Sequence, residues 1–237
     1  MIRVEGLSKR YGKLWALRGV SCSFRPGEVT ALIGPNGSGK TTLIKSILGA
    51  VRPTEGKLWL GDTPIGTDPA YRARLGYMPQ IGRYPDNLTI GQLLDMMQDL
   101  RGQPTGGCDD RLVSVLGIDR QLGKKLGALS GGTRQKVSAI LAFRFRPEVL
   151  ILDEPTAGLD PVSAESILEA VGQAVAAGVA VVITSHIMNE VEAVANRVTY
   201  LAEGRLLFSE TAADLQARTQ ETRLSAAIAH YAKACHG

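Results

Sequence analysis

The segment Gly34-Pro-Asn-Gly-Ser-Gly39-Lys40-Thr41 constrains this chain more than any other stretch. It follows Val29-Thr-Ala-Leu-Ile33, an apolar run of the kind a strand covered on both faces shows. It precedes Thr41–Leu48, whose apolar residues recur at helical spacing and stop at Gly49. Strand, glycine-rich loop and helix in that order match a phosphate cradle at every required place. Glycines let backbone N–H groups close around phosphate oxygens, and the helix N-terminus adds partial positive charge. Lys40 is expected to reach the β- and γ-phosphates, and the Thr41 hydroxyl to ligate Mg²⁺. Gly34, Pro35, Asn36, Gly37, Ser38, Gly39, Lys40, Thr41 and Thr42 are therefore the candidate nucleotide-binding residues.

Val149-Leu-Ile-Leu-Asp153-Glu154 is a second apolar strand, and it ends in two carboxylates. Neighbouring strand residues point to opposite faces, so the two acids cannot share one task. Asp153 is expected near Mg²⁺, and Glu154 is free to polarise an attacking water as general base. Acids at strand ends are often solvated turn residues; the phosphate loop favours the functional reading.

Leu129-Ser130-Gly131-Gly132 opens the helical run Thr133–Phe143, an arrangement that suits either an N-cap or an anion. One nucleotide needs only one cradle, and residues 34–41 already supply it. The economical reading is that Ser130–Gly132 of one subunit closes over nucleotide held by another, in a two-fold dimer with two composite sites.

The rest of the chain supplies the frame. Strand-like runs at Ile2–Val4, Val20–Phe24 and Lys57–Leu60 suggest an antiparallel β region near the N-terminus. Residues 81–146 are helical in character, with a capping box at Thr89–Gln92 and a further helix near Asp110–Leu116. Met96 and Met97 read as core packing, with a partner-binding face as the minority reading. Strands at Val149–Leu152 and Val179–Thr184 flank a helix over Val162–Ala176, a unit that implies parallel strands. A strand near Val198–Leu201, a turn at Glu203–Gly204 and an alanine-rich helical tail complete the reading. The expected fold class is α/β, a P-loop NTPase core with a mostly parallel sheet, an N-terminal antiparallel region and an inserted helical subdomain.

Composition narrows the function classes. A formal charge of +4 is dispersed along the chain and aromatics are 5%, so neither a basic groove nor a run of base-stacking platforms is called for. The N-terminus lacks the apolar core of a signal peptide, and the run Ala174–Thr184 is about half the length a bilayer span needs. Cys22, Cys108 and Cys235 are scattered, which fits a reducing compartment. His230, Cys235 and His236 in the tail offer soft-metal ligands, but a five-residue separation is poor for sharing a helix face.

Taken in order, GPNGSGKT, Gln80, LSGGTRQ, LILDEP, Gly158-Leu159-Asp160 and His186 resemble the ATP-binding cassette (ABC) ATPases over about residues 1–210. The resemblance implies further roles. Tyr11 would stack on adenine, and Gln80 would sense Mg²⁺ and the attacking water while linking the site to a transmembrane partner. Ser130 and Gly132 would touch the γ-phosphate across the dimer, with Gly131 between them. Asp160 would couple the two sites, and His186 would hold the γ-phosphate. One departure is visible, Thr133 where many members have glutamine, with Gln135 two residues later. The implied organisation is an ATP-binding domain over 1–210, with the helical subdomain at about 81–146 and a helical tail over 211–237.

ABC ATPases also serve DNA repair and ribosome-associated factors, so the alternative is a soluble ABC ATPase acting on nucleic acid or ribosomes. The repair type resembles a split cassette with a long coiled coil, and the translation type usually carries two cassettes in one chain. This chain has one cassette, and no sustained heptads separate Lys40 from Asp153. A P-loop kinase, the third reading, leaves Ser130–Gly132 and His186 unexplained. The expected protein is the ATP-hydrolysing subunit of a transporter, using ATP and Mg²⁺, paired with a second ABC ATPase copy and docked on separate transmembrane permease subunits. It is expected in the cytoplasm, peripheral on the cytoplasmic face of the inner membrane, with no nucleic-acid partner. LSGGTRQKVSAILAF and ITSHIMNEVEAVANRV look similar to exporter-type members, and among them to the ATPase subunits that accompany nitrous-oxide-reductase maturation and copper-site assembly.

Overall fold

The computed structural model describes residues 1–66, 68–104 and 106–234. Two sheets organise it. The first is antiparallel and joins β1 (Ile2–Tyr11), β2 (Leu14–Phe24), β4 (Glu55–Leu60) and β5 (Thr63–Pro64) in the order β2-β1-β4-β5. The second contains β3 (Val29–Ile33), β6 (Leu75–Met78), β7 (Val149–Asp153), β8 (Ala180–Thr184), β9 (Arg197–Ala202) and β10 (Arg205–Thr211). Its order is β10-β9-β3-β8-β7-β6, parallel except for the pairing of β10 with β9.

The parallel strands are apolar throughout because both of their faces are covered. Ala31, Ile33, Leu150, Leu152, Val181 and Ile183 enter one core, whereas Leu32, Val149, Ile151, Ala180 and Val182 enter the other. The second core is closed by the antiparallel sheet and by α1 (Lys40–Ile47), which buries Leu43, Ile44 and Ile47. Helices close the first: α2 (Ile90–Leu100), α3 (Arg111–Val115), α4 (Gly131–Phe143) and α5 (Pro161–Ala176), then α6 (Met188–Val194), α7 (Ala212–Thr219) and α8 (Leu224–Ala234). The sheet is thus the middle layer of three.

Local chemistry sets the helix boundaries. Thr89 accepts from the Gln92 N–H while the Gln92 side chain accepts from the Thr89 N–H, the capping box expected from sequence. The expected helix near Asp110–Leu116 is a five-residue helix, α3, followed by turns. The α2–α3 region is fastened to α4 by Arg144, whose guanidinium donates to the Leu94 carbonyl at 2.7 Å and to Asp110 at 2.6 Å. Of the methionine pair, Met97 packs against the core, but Met96 is exposed at 36%.

Two strands differ from the sequence reading. β6, within a stretch of mixed strand and turn character, joins the central sheet beside β7. The turn at Glu203–Gly204 leads into β10 rather than directly into helix, because it is a tight hairpin that returns the chain antiparallel to β9. The tail then packs onto the first core through Leu215, Leu224, Ala227 and Ile228, and Tyr231 meets Phe208 edge-on at 4.6 Å. His230 faces Glu221 at 3.4 Å. The tail metal reading also needs Cys235 and His236, which lie outside the described residues.

α4 lies close against β6 and β7. A Cβ at Gly76 would sit 2.1 Å from the Ala142 carbonyl oxygen and 2.7 Å from Leu150 Cδ2. Gly76→Ala is therefore expected to lower the unfolding free energy by about 1–3 kcal/mol in urea denaturation. An unchanged midpoint would show that α4 and β6 separate without cost.

Candidate nucleotide site

The loops that leave β3, β6, β7 and β8 at their C-terminal ends carry Gly34–Gly39, Gln80, Asp153–Glu154 and Ser185–His186. This crevice is where open parallel sheets hold their ligands.

Gly34 and Gly39, at the two ends of the loop, are wedged against neighbouring backbones. At Gly34, φ is 151° and a Cβ would sit 2.0 Å from the Leu201 carbonyl oxygen. At Gly39, φ is 106° and a Cβ would sit 2.5 Å from the Ala16 carbonyl oxygen. Only glycine fits either place, so the loop takes a shape that packing has already set. Pro35, Asn36, Gly37 and Thr41 stand exposed, and Thr42 is partly so. The Ser38 hydroxyl is buried without a hydrogen-bond partner, an orphan polar atom inside the cradle. Lys40 Nζ donates to the Gly34 carbonyl at 2.6 Å and the Pro35 carbonyl at 3.1 Å. Burial pulls the Lys40 ammonium below its ordinary pKa, while Asp153 and Glu154 oppose that shift. The cradle and the acidic pair are therefore electrostatic neighbours.

Asp153 pairs with Thr184 across β7 and β8, and its carboxylate accepts from the Thr184 hydroxyl. Glu154 follows in the left-handed region at φ 54°, an unusual conformation for a non-glycine residue. Its N–H donates to the Thr184 carbonyl at 3.0 Å and lies 3.2 Å from the Thr184 hydroxyl oxygen. Its carbonyl accepts from Gln135 Nε2 at 3.0 Å. Its buried carboxylate accepts from the His186 N–H at 3.3 Å, with His186 Nε2 3.4 Å away. Gln80 is exposed two residues beyond Met78, which pairs with Leu152 in the adjacent strand.

Donor chemistry is consistent with a magnesium ion. Thr41, Gln80 and Asp153 offer hydroxyl, amide and carboxylate oxygens, the hard ligands that Mg²⁺ shares with nucleotide phosphates.

The remaining candidates group elsewhere. Ser130 caps α4, its Oγ accepting from the Thr133 N–H at 3.2 Å and lying 2.9 Å from the Thr133 hydroxyl. Ser130 and Gly131 are exposed, and a Cβ at Gly132 would sit 2.9 Å from the Gly158 carbonyl. Asp160 caps α5 through Ser163 and pairs with Lys136 of α4 at 3.0 Å. Hydrogen bonds from Ser163, then Lys136, hold the Asp160 carboxyl below its usual range. Among the described residues, Ser130–Gly132 and Asp160 make no hydrogen bond or ion pair with residues 34–42. Tyr11 ends β1, exposed, with the Lys9 ammonium 5.0 Å from its ring centre.

Sequence reasoning missed the residues that hold these groups in place. Thr184 and Gln135 clasp the Glu154 segment, and Glu190 of α6 accepts from both Thr156 and Ser185, tying the loops after β7 and β8 together. Their signal lies in cross-strand register and helix phase, which emerge only once the sheet is assembled.

Residues 17–157 match the family model described as "ABC transporter". The chain is 36% identical over 223 residues to a linearmycin resistance ATP-binding protein of Bacillus subtilis, covering 92% of this chain and 71% of the relative. It is 34% identical over 209 residues to a Nod factor export ATP-binding protein of Ralstonia nicotianae, covering 86% of this chain and 65% of the relative. The structure of an ABC transporter's ATP-binding subunit superposes with TM-score 0.92 at 28% identity, covering 97% and 98% of the two chains. A dimeric ATP-binding cassette in a post-hydrolysis state with ADP and Pi superposes at 0.78 with 25% identity, covering 89% and 98%.

Thr184→Val keeps the side-chain shape and removes the hydroxyl that bonds Asp153 and Glu154. ATP turnover is expected to fall about ten- to hundredfold, the rate equivalent of a lost charge-assisted hydrogen bond. Wild-type turnover in a folded Thr184→Val protein would remove Thr184 from the site.

Proposed function

This chain belongs to the ABC transporter family as an ATP-hydrolysing subunit, and from that premise we propose how its residues carry the cycle. The observation that carries the proposal is the convergence of the phosphate loop, Asp153, Glu154 and His186 at one edge of the parallel sheet.

Tyr11 stacks on adenine, and backbone N–H groups of residues 34–42 enclose the phosphates, with Lys40 neutralising the β- and γ-oxygens. Thr41, Gln80 and Asp153 would hold Mg²⁺, which supplies charge neutralisation to the phosphates when bound. Glu154 accepts a proton from the attacking water, and the left-handed turn places its carboxylate beside His186. His186 steadies the γ-phosphate that the water attacks, and ADP and phosphate leave. Ser130, Gly131 and Gly132 of a second copy close the site from the far side, and Asp160 couples the paired sites. The functional units are an ATP-binding domain over 1–210, a helical subdomain over about 81–146 and a tail over 211–237.

Among the described residues no helix is long and apolar enough to cross a membrane. We place the ATPase on separate transmembrane subunits at the cytoplasmic face, with Gln80 passing the state of the site to them. An exporter-type partner is supported by the relatives, a linearmycin resistance protein and a Nod factor export protein. The finer assignment, service to copper-enzyme maturation, is supported by the resemblance of LSGGTRQKVSAILAF and ITSHIMNEVEAVANRV alone. Its test is the copper content of nitrous-oxide reductase made with and without this chain; equal copper would remove it.

Glu154→Gln is expected to bind ATP normally while turnover nearly disappears, measured by nucleotide binding and phosphate release. Retained turnover would displace Glu154 as the base. Ser130→Arg is expected to block ATP-driven dimers in light scattering without weakening nucleotide binding to the monomer. Dimers that still form would end the composite-site reading, and turnover stimulated by DNA or ribosomes without a membrane partner would overturn the transporter assignment.

A further inference from the structure

The Glu154 backbone is held from both sides. Its N–H is engaged by Thr184 of β8, and its carbonyl is engaged by the Gln135 side chain, which reaches across from α4. Gln135 is 5% exposed and donates at 3.0 Å to that carbonyl. A buried amide must find an acceptor, since a donor left unmatched is costly, and the Glu154 carbonyl serves here. That carbonyl belongs to a residue held at a φ of 54°. A residue with a Cβ avoids that region unless its neighbours over-determine it. Rotating the Glu154 peptide into the right-handed or extended region would swing the carbonyl away from Gln135 and the carboxylate away from His186.

We propose that Gln135 is a positioning residue for Glu154, fixing the left-handed turn that aims the carboxylate at the attacking water. The inference rests on the reading of Glu154 as general base. Gln135 is buried with its amide on the Glu154 carbonyl, so it acts through the residue it holds. Its place in α4, five residues after Ser130, puts the base under the control of the helix that also carries the exposed Ser130 cap. Thr184 cannot substitute for this hold, because it restrains the peptide N–H on the other side of the Glu154 Cα.

A Gln135→Met variant keeps length and burial and removes the donor. Its kcat is expected to fall about ten- to hundredfold, while the KM for ATP changes less than about twofold. A purely structural role would weaken nucleotide binding together with turnover. In a Glu154→Gln background, Gln135→Met is expected to leave the residual rate unchanged, since a positioning residue has nothing left to aim. A Gln135→Glu variant supplies the control that survives a poorly folding methionine variant. Protonated, its carboxyl can donate to the Glu154 carbonyl; ionised, it cannot. Its turnover relative to wild type is therefore expected to rise as pH falls. Full kcat in Gln135→Met, an equal further loss in the Glu154→Gln background, or a pH-independent ratio for Gln135→Glu would each overturn the proposal. If Glu154→Gln itself turns over normally, the base assignment fails first; if Glu154→Gln is inactive and Gln135→Met is not, only the positioning role fails.

Discussion

The register of β7 against β8, with Asp153 opposite Thr184, is the constraint from which the reactive edge of this molecule follows. One step of slippage would move every apolar residue of β7 to the wrong core and both carboxylates to the wrong face. The register is protected because each face is separately buried: Leu150 and Leu152 in one core, Val149 and Ile151 in the other. Hydrophobic burial on both sides of the sheet thereby fixes the position of two charges at its end. Thr184 adds the local detail, giving its hydroxyl to Asp153 while its carbonyl takes the Glu154 N–H. The apolar residues of the sheet and the polar ones at its end are in this sense one arrangement.

α4 is the second element on which the site depends. Its first turns present Ser130 to solvent, hold the Glu154 carbonyl through Gln135, and pair with Asp160 through Lys136. Its last turns lie on β6 and β7, close enough that Gly76 must lack a side chain. An exposed polar cap at one end and close packing along the shaft make α4 a packed link between the outer surface and Glu154. The Arg144 guanidinium, bonded to the Leu94 carbonyl and to Asp110, extends the link to α2 and α3.

The fold and the positions of the acidic pair and phosphate loop were legible because their signals are local. Glycine requirements at Gly34 and Gly39, apolar runs at Val29–Ile33 and Val149–Asp153, and the capping box at Thr89 each occupy a few adjacent residues. β10 was not legible, since Arg205-Leu-Leu-Phe-Ser-Glu-Thr alternates poorly and earns its strand only by pairing with β9. The supporting contacts were hidden for a related reason. Gln135 and Glu154 are nineteen residues apart, Thr184 and Glu154 thirty, and neither spacing has meaning until the sheet order is known. Met96 shows the opposite failure: as an apolar neighbour of Met97 it reads as core, but only Met97 lies on the stripe of α2 that meets the core.

The threonine at position 133 follows the same logic of hydrogen-bond capacity. A serine hydroxyl has one proton to give and two lone pairs to accept with. Ser130 accepts from the Thr133 N–H, and the Thr133 hydroxyl lies 2.9 Å away, where either oxygen can donate to the other. When Thr133 is the donor of that pair, the single Ser130 proton is free to point outward; when Ser130 is the donor, that proton is held on the helix. Residues 34–42 make no hydrogen bond to this exposed hydroxyl, so an anion that draws the proton outward has to come from elsewhere. A threonine at position 133 therefore leaves Ser130 able to donate, as the proposed composite site asks of it, because the neighbouring hydroxyl can take either part in the pair.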